Sequence, residues 1–215
     1  MYIDIHTHKL SHHNDITTVY DCKLQETPPA SLFNIGIHPW DVNKYSLKEL
    51  EKKLKVYNQS NFLFAIGETG LDKLHYQTFN KQKEYFNAQL VLAKKLQITT
   101  LIIHCVKAYN EIFEILKKSS FKGQIIFHDF NANINTATQF LKHFDCYFSF
   151  GIKLFNHKTK AYKTFTEIDL KNVFLETDDQ NKYGIGQIYS KAAQIRSLEL
   201  EELSAQLSLN FKSIN

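Results

Sequence analysis

The sequence predicts an α/β fold, a slightly truncated (β/α)8 TIM barrel with its active site at the C-terminal ends of the strands. Three observations predict it. Short β-rich runs alternate with segments of helical periodicity, the pattern of a parallel sheet with crossover helices. Eight such runs can be counted. Several of them run out in a His, Glu or Asp, and the C-terminal strand ends are where a barrel of this kind carries its chemistry.

The first strand is Tyr2 to His6, and the second is Ile16 to Tyr20. Too little chain separates them for a full helix, so that crossover is cut to a loop. Pro28-Pro29 marks a connection, and Leu32 to Ile37 reads as strand three, ending in His38-Pro39-Trp40. Ser46 with Glu49 three residues on is a capping box, followed by Leu47, Leu50, Leu54 and Tyr57 at helical spacing. Strand four is Phe62 to Ile66 and stops at Gly67-Glu68-Thr69-Gly70-Leu71-Asp72. A helix from Asn80 to Leu96 aligns Phe86, Leu90 and Ala93, and strand five is Thr100 to Ile103, followed at once by His104. Glu111 to Lys118 is helical, with Lys117 and Lys118 at the negative end of its dipole. Strand six, Gln124 to Phe127, ends in His128-Asp129. A helix over Asn135 to Phe144 leads to strand seven, Cys146 to Phe150, and strand eight, Val173 to Leu175, ends in Glu176-Thr177-Asp178. Ile185 to Phe211 reads as two helices.

Within Asp4-Ile5-His6-Thr7-His8, strand alternation sends His6 and His8 to the same side. One His-x-His carries little by itself in a chain with ten histidines. The barrel changes its weight, because its rim would collect His6 and His8 from strand one, Glu68 from four, His104 from five, His128 from six and Asp178 from eight. Six ionisable groups desolvated together would be costly without a metal to offset the burial. Four imidazoles and two carboxylates exceed what one tetrahedral ion needs, and suit two divalent ions sharing a carboxylate. Zinc, manganese, iron, nickel and cobalt all remain open, and magnesium less comfortably with so much nitrogen.

Bulk properties narrow the class. The 215 residues, 43% of them hydrophobic, are enough for one sizeable core, and one domain over 1–215 is expected. A net charge of +4 permits a phosphate-bearing substrate without the dense basic clusters of a dedicated nucleic-acid binder. Three widely spaced cysteines indicate neither a disulfide framework nor a zinc ribbon. There is no secretory signal and no run approaching the roughly 18 apolar residues that span a bilayer, so a cytoplasmic protein without membrane contact is expected, and a monomer is compatible.

The residues also resemble a family. Ile5-His6-Thr7-His8, Gly36-Ile37-His38-Pro39, Ile66-Gly67-Glu68-Thr69-Gly70-Leu71-Asp72, Ile103-His104, His128-x-Phe130 and Leu175-Glu176-Thr177-Asp178 match, in order, the TatD-like metal-dependent hydrolases of the amidohydrolase superfamily. Gln82, Phe86 and Asn210-Phe211 also fall where that family has its Gln-x-x-x-Phe and Asn. The resemblance implies one ion held by His6, His8, Glu68 and Asp178 and another by Glu68, His104 and His128, with Glu68 bridging. It implies metal-dependent hydrolysis, a deoxyribonuclease or 3′-5′ exonuclease activity, with single-stranded DNA or another phosphodiester as substrate. Asp178 is then the general base toward a metal-activated water, and Lys107 and Lys153 are candidates for the cation that meets substrate charge.

Three positions depart from the family. Val106 and Lys107 stand where it has an Arg two residues after the strand-five His, and Lys is a point charge rather than a bidentate fork. Asn131-Ala132-Asn133 replaces a Gly-containing turn, and Asp179-Gln180 replaces an Ala-Pro. His38 is expected to contact substrate or support a ligand, Trp40 to stack on a base or cover the core edge, and Asp72 to orient a neighbour. His12, His13, His75, His143 and His157 read as solvent-exposed, and Cys105 as a packing residue. Two other classes stay open: a metal-dependent hydrolase of a non-nucleic-acid ester, amide or phosphotriester, and a non-catalytic metal-binding barrel.

Overall fold

A computed structural model describes residues 1–10 and 13–214. Eight strands form one all-parallel sheet in the order of the chain: β1 Tyr2–Thr7, β2 Ile16–Asp21, β3 Phe33–Asn34, β4 Leu63–Asp72, β5 Thr100–Val106, β6 Gln124–Phe127, β7 Cys146–Phe150 and β8 Val173–Leu175. The sheet closes on itself beyond β8, where Thr7 bridges to Asp178. His8 N donates to Asp178 O (3.2 Å), and Asp178 N donates to His6 O (3.0 Å). The expected barrel is therefore present, and its last rungs are made by backbone of residues proposed for its site.

Helices cover the outside: α1 Leu47–Tyr57, α2 Phe79–Leu96, α3 Tyr109–Ser119, α4 Ile134–Leu141, α5 Lys160–Glu167, α6 Ile185–Arg196 and α7 Leu200–Lys212. The described residues between β1 and β2 hold no helix, as the short spacing predicts. Ser46 caps α1 with both halves of the capping box: Glu49 N donates to Ser46 Oγ (3.3 Å), and Ser46 N donates to Glu49 Oε2 (2.8 Å). Helix α5 was not legible beforehand. Thr159 starts it by accepting a hydrogen bond from Tyr162 N (3.1 Å).

β3 and β4 differ from expectation for identifiable reasons. β3 is shorter than Leu32–Ile37 because Ile37 finds its partners on a helix: Ile37 N donates to Gln89 Oε1 (2.8 Å), and Gln89 Nε2 donates to Ile37 O (3.1 Å). β4 runs six residues past Ile66, so Glu68 lies inside the strand instead of after it. The β4–β5 register shifts between Ile66 and Thr69, and beyond the shift Gly70 lies opposite His104. A Cβ on Gly70, whose φ is +140°, would sit 2.1 Å from His104 O, so only glycine lets the two strands approach there.

Apolar side chains pack in two layers. Leu101, Ile103, Ile125, Phe127, Phe148 and Leu175 face the helices, while Val19, Ala65, Ile102, Ile126 and Phe174 belong to a separate cluster that fills the barrel. Phe211 of α7 closes the lower end by stacking on Phe64, with ring centroids 5.6 Å apart. No helix among the described residues is long and apolar enough to cross a membrane.

The seam beside β1 is sealed by a side chain. Tyr189 of α6, fully buried, accepts a hydrogen bond from Ile3 N (2.9 Å) and donates to Ile3 O (3.1 Å). Burial pushes its hydroxyl pKa up, so it stays a donor. Tyr189→Phe leaves both Ile3 backbone groups unpaired in the interior. Its expected cost is about 1–3 kcal/mol, read as a lower urea midpoint with an unchanged slope.

Candidate metal centre

Glu68 is the hub of the barrel mouth. Its carboxylate is almost fully buried, and its two oxygens each face a separate group of imidazoles. Oε1 lies 3.3 Å from His6 Nε2 and 3.3 Å from His8 Nε2, both from the end of β1. Asp178 Oδ1 completes this side, 3.2 Å from His8 Nε2 and 3.7 Å from His6 Nε2. Oε2 lies 3.1 Å from His128 Nε2, 3.4 Å from His104 Nδ1 and 3.3 Å from His38 Nε2. His104 Nδ1 and His128 Nε2 are themselves 3.2 Å apart.

All six residues predicted as ligands are thus brought together. Their donor atoms form overlapping triples within 4.8 Å: His6, His8 and Glu68; His6, His128 and Asp178; and His38, Glu68 and His104. His38 is the addition, as close to Glu68 as the others although the sequence argued only for a substrate or supporting contact. The donor set fits divalent ions. His6 Nε2 is buried without a hydrogen-bond partner although it faces a carboxylate, and a nitrogen left in that state suits coordination to an ion lying between the two groups.

A second ring of carboxylates orients the first. Asp21 Oδ2 faces His8 Nδ1 at 3.5 Å, and Asp72 Oδ2 faces His104 Nε2 at 3.6 Å, so the opposite nitrogen of each ring is turned toward Glu68. Asp21 Oδ1 also accepts from Asn34 Nδ2 (2.6 Å) and from Glu68 N (3.2 Å), tying the hub's backbone to β2. Asp4 accepts from Thr177 N (2.9 Å) and Thr177 Oγ1 (2.7 Å), which anchors the residue before Asp178. Asp72 therefore has the orienting place expected of it. Asp21 and Asp4 were missed. The same patterns could have found them, since Asp21 is the polar end of β2 and Asp4 shares the alternation of His6 and His8.

Electrostatics follow from this crowding. Burial pulls the His8 pKa down, but the hydrogen bonds to Asp178 and Glu68 and the charge of Asp21 overcome it and raise it to about 10. His104 goes to about 9, where Asp72 and Glu68 outweigh burial. Glu68 is held well below the usual carboxylate range, because the surrounding histidines outweigh its desolvation. Burial lifts Glu176 to about 8; it accepts a hydrogen bond from Asp129 N at 2.5 Å.

The cations expected at the rim differ from each other. Lys153, in the turn Ile152–Phe155 after β7, is ion-paired with Asp129. Lys107 is exposed at the end of β5 with φ +54°. Trp40 is 58% exposed and so does not cover the core. His13, His75, His143 and His157 are exposed as expected, while His12 lies outside the described residues. Cys105 is half-buried, and burial pushes its thiol pKa up, which suits packing and not nucleophilic chemistry.

An all-parallel eight-stranded barrel whose strand ends gather imidazoles and carboxylates at one mouth has the architecture of a metal-dependent hydrolase. A TatD homologue of Escherichia coli K12 has the same fold, with a TM-score of 0.83 at 18% identity over 99% of this chain and 97% of that one. An uncharacterised metal-dependent hydrolase of Mycoplasma genitalium is 28% identical over 84% of this chain and 76% of its own length. A protein named deoxyribonuclease Tat-D of Schizosaccharomyces pombe is 28% identical over 76% of this chain. The chain spans only 53% of the length of that relative. The sequence model described as TatD related DNase matches residues 4–214, and the chain belongs to that family.

Because His8 and His104 hold protons at neutral pH in the metal-free protein, an ion must displace them. Adding manganese or zinc to chelator-treated protein in weak buffer is expected to release protons, and affinity should rise as pH rises through the slightly alkaline range. Calorimetry in buffers of different ionisation enthalpy measures this; binding without proton release would show that these histidines are not ligands.

Proposed function

We propose that this protein is a metal-dependent phosphodiesterase acting on DNA, of the 3′-5′ exonuclease type, with a binuclear site. The observation that carries the reading is the division of donors between the two oxygens of Glu68: His6, His8 and Asp178 on one side, His104 and His128 on the other. Family membership and the deoxyribonuclease name of the yeast relative support the substrate class.

When bound, divalent ions supply Lewis acidity, lowering the pKa of a water molecule and neutralising charge on a phosphate. The protein's own groups do the rest. Glu68 ties the two donor sets to one rigid carboxylate. Asp178, about a quarter exposed and kept ionised, is the carboxylate that reaches the open mouth and takes the water's proton as general base. His8, hydrogen-bonded to Asp178 and backed by Asp21, holds that carboxylate in position. Lys107 supplies positive charge toward the substrate backbone. Lys153 acts through Asp129, keeping that carboxylate neutralised beside the anionic substrate. Three unpaired cysteines agree with a reducing, cytoplasmic setting.

One observation favours a second reading. Val106 replaces a bidentate Arg and Lys153 is already paired, so the mouth holds less free positive charge than a processive nuclease would use. A smaller phosphodiester, or another ester, would need less.

The test is cleavage of a 5′-labelled single-stranded oligonucleotide with added magnesium, manganese or zinc, with a chelator as control. Shortening from the 3′ end that needs metal is expected. Asp178→Asn should lower kcat by about 100-fold or more, with metal content measured alongside. An intact oligonucleotide with a metal-loaded protein would remove the nuclease reading. Lys107→Ala should raise KM several-fold and flatten its salt dependence, the expected sign of a lost phosphate contact.

A further inference from the structure

An exposed aromatic ring stands beside the metal centre. Trp40, the single tryptophan of the chain, lies in the short turn Pro39–Asp41 directly after His38 and is 58% exposed. Tryptophan is among the side chains that gain most from burial, so an exposed one held rigidly at a site mouth marks a contact surface. Trp40 is held rigidly. Its Nε1 donates to Asp72 Oδ2 (2.7 Å), and its backbone N donates to His38 Nδ1 (3.1 Å). The indole centroid is 4.7 Å from the His38 ring, 5.9 Å from the His104 ring and 5.0 Å from the His75 ring.

Asp72 thus links two functions. One of its oxygens faces both the indole Nε1 and His104 Nε2, so the aromatic surface is registered to the Glu68 Oε2 side of the centre. The segment Lys73–Thr78, which follows Asp72, continues the wall with His75, whose ring lies 5.0 Å from the indole. A phosphodiester bound at the metal centre would place its attached nucleoside beside this wall.

We infer that Trp40 is a stacking platform for the nucleobase next to the scissile phosphodiester, flanked by His75, and that it selects an unstacked, single-stranded end. The inference rests on the phosphodiesterase reading above and adds to it a base-recognising surface. Stacking tolerates any base, because every base offers a π-face, but it excludes a base still paired and stacked in a duplex.

Since Trp40 is the only tryptophan, its fluorescence reports the platform directly. A phosphorothioate oligothymidylate should quench it, whereas an abasic phosphorothioate strand of the same length and charge should not. In cleavage assays on single-stranded DNA, Trp40→Ala should raise KM by about tenfold or more and lose the preference for single over double strands. Trp40→Phe keeps an aromatic face without the Asp72 hydrogen bond, and should retain most of the affinity. Equal quenching by both strands, or no quenching by either, overturns the inference. So does a Trp40→Phe variant as impaired as Trp40→Ala, since the loss would then come from the Asp72 contact. If the wild type cleaves and the alanine variant keeps its KM, stacking falls while the nuclease reading stands; if the metal-loaded wild type leaves DNA intact, both fall.

Discussion

Five imidazoles converge on one buried carboxylate, and the rest of the structure serves that convergence. Removing a carboxylate from water costs several kcal/mol unless opposite charge repays it. Imidazoles meet Glu68 on every side: its oxygens face His6, His8, His38, His104 and His128 within 3.4 Å, and His6, His8 and His104 have their pKa values raised toward the charged form. Such a cluster cannot be built from one stretch of chain. It needs strands that end at one level around a closed ring, which a barrel provides and an open sheet does not.

Placing Glu68 at the centre demands local concessions in β4. The strand's register shifts at Gly67-Glu68, and its neighbours are glycines where backbone must come close. A Cβ on Gly36 would lie 2.9 Å from Glu68 O, so the chain just after β3 can approach the hub only without one. The Glu68 amide is then held by Asp21 instead of by a regular ladder. Two buried glutamines of α2 do similar work one layer out. Gln89 brackets Ile37 before His38, and Gln82 brackets Asp72: its Oε1 accepts from Asp72 N (2.8 Å), and its Nε2 donates to Asp72 O (3.2 Å). A helix thereby supplies backbone hydrogen bonds at the ends of β3 and β4, and sets two residues of the mouth.

The same logic explains which parts were legible in advance. β6, β7 and β8 have the expected bounds because each is a compact, largely apolar run with a clear stop, a polar residue after β6 and β8 and Gly151 after β7. β4 and β5 run longer than expected because Glu68, Asp72 and His104 are polar yet lie within the ladder, and alternation read from hydropathy counts such residues as a strand's end. Helix α5 escaped because Lys160–Glu167 is short and mostly polar, with Ala161, Thr164 and Phe165 as its buried face. The family resemblance drawn from motif order is borne out by the match over residues 4–214.

The amino-acid sequence by itself determined the inventory: eight strands, the residues at their ends and the order in which they come round the ring. It could do so because strand and helix periodicities are local properties, readable from neighbours in the chain. Only the tertiary structure decided the partnerships. That His38 stands as near Glu68 as the expected ligands, that Asp21 backs His8, that Lys153 is paired with Asp129 and that Trp40 is exposed but anchored all depend on contacts between residues distant in sequence. Those distances are set by barrel closure and strand register, which no local pattern encodes.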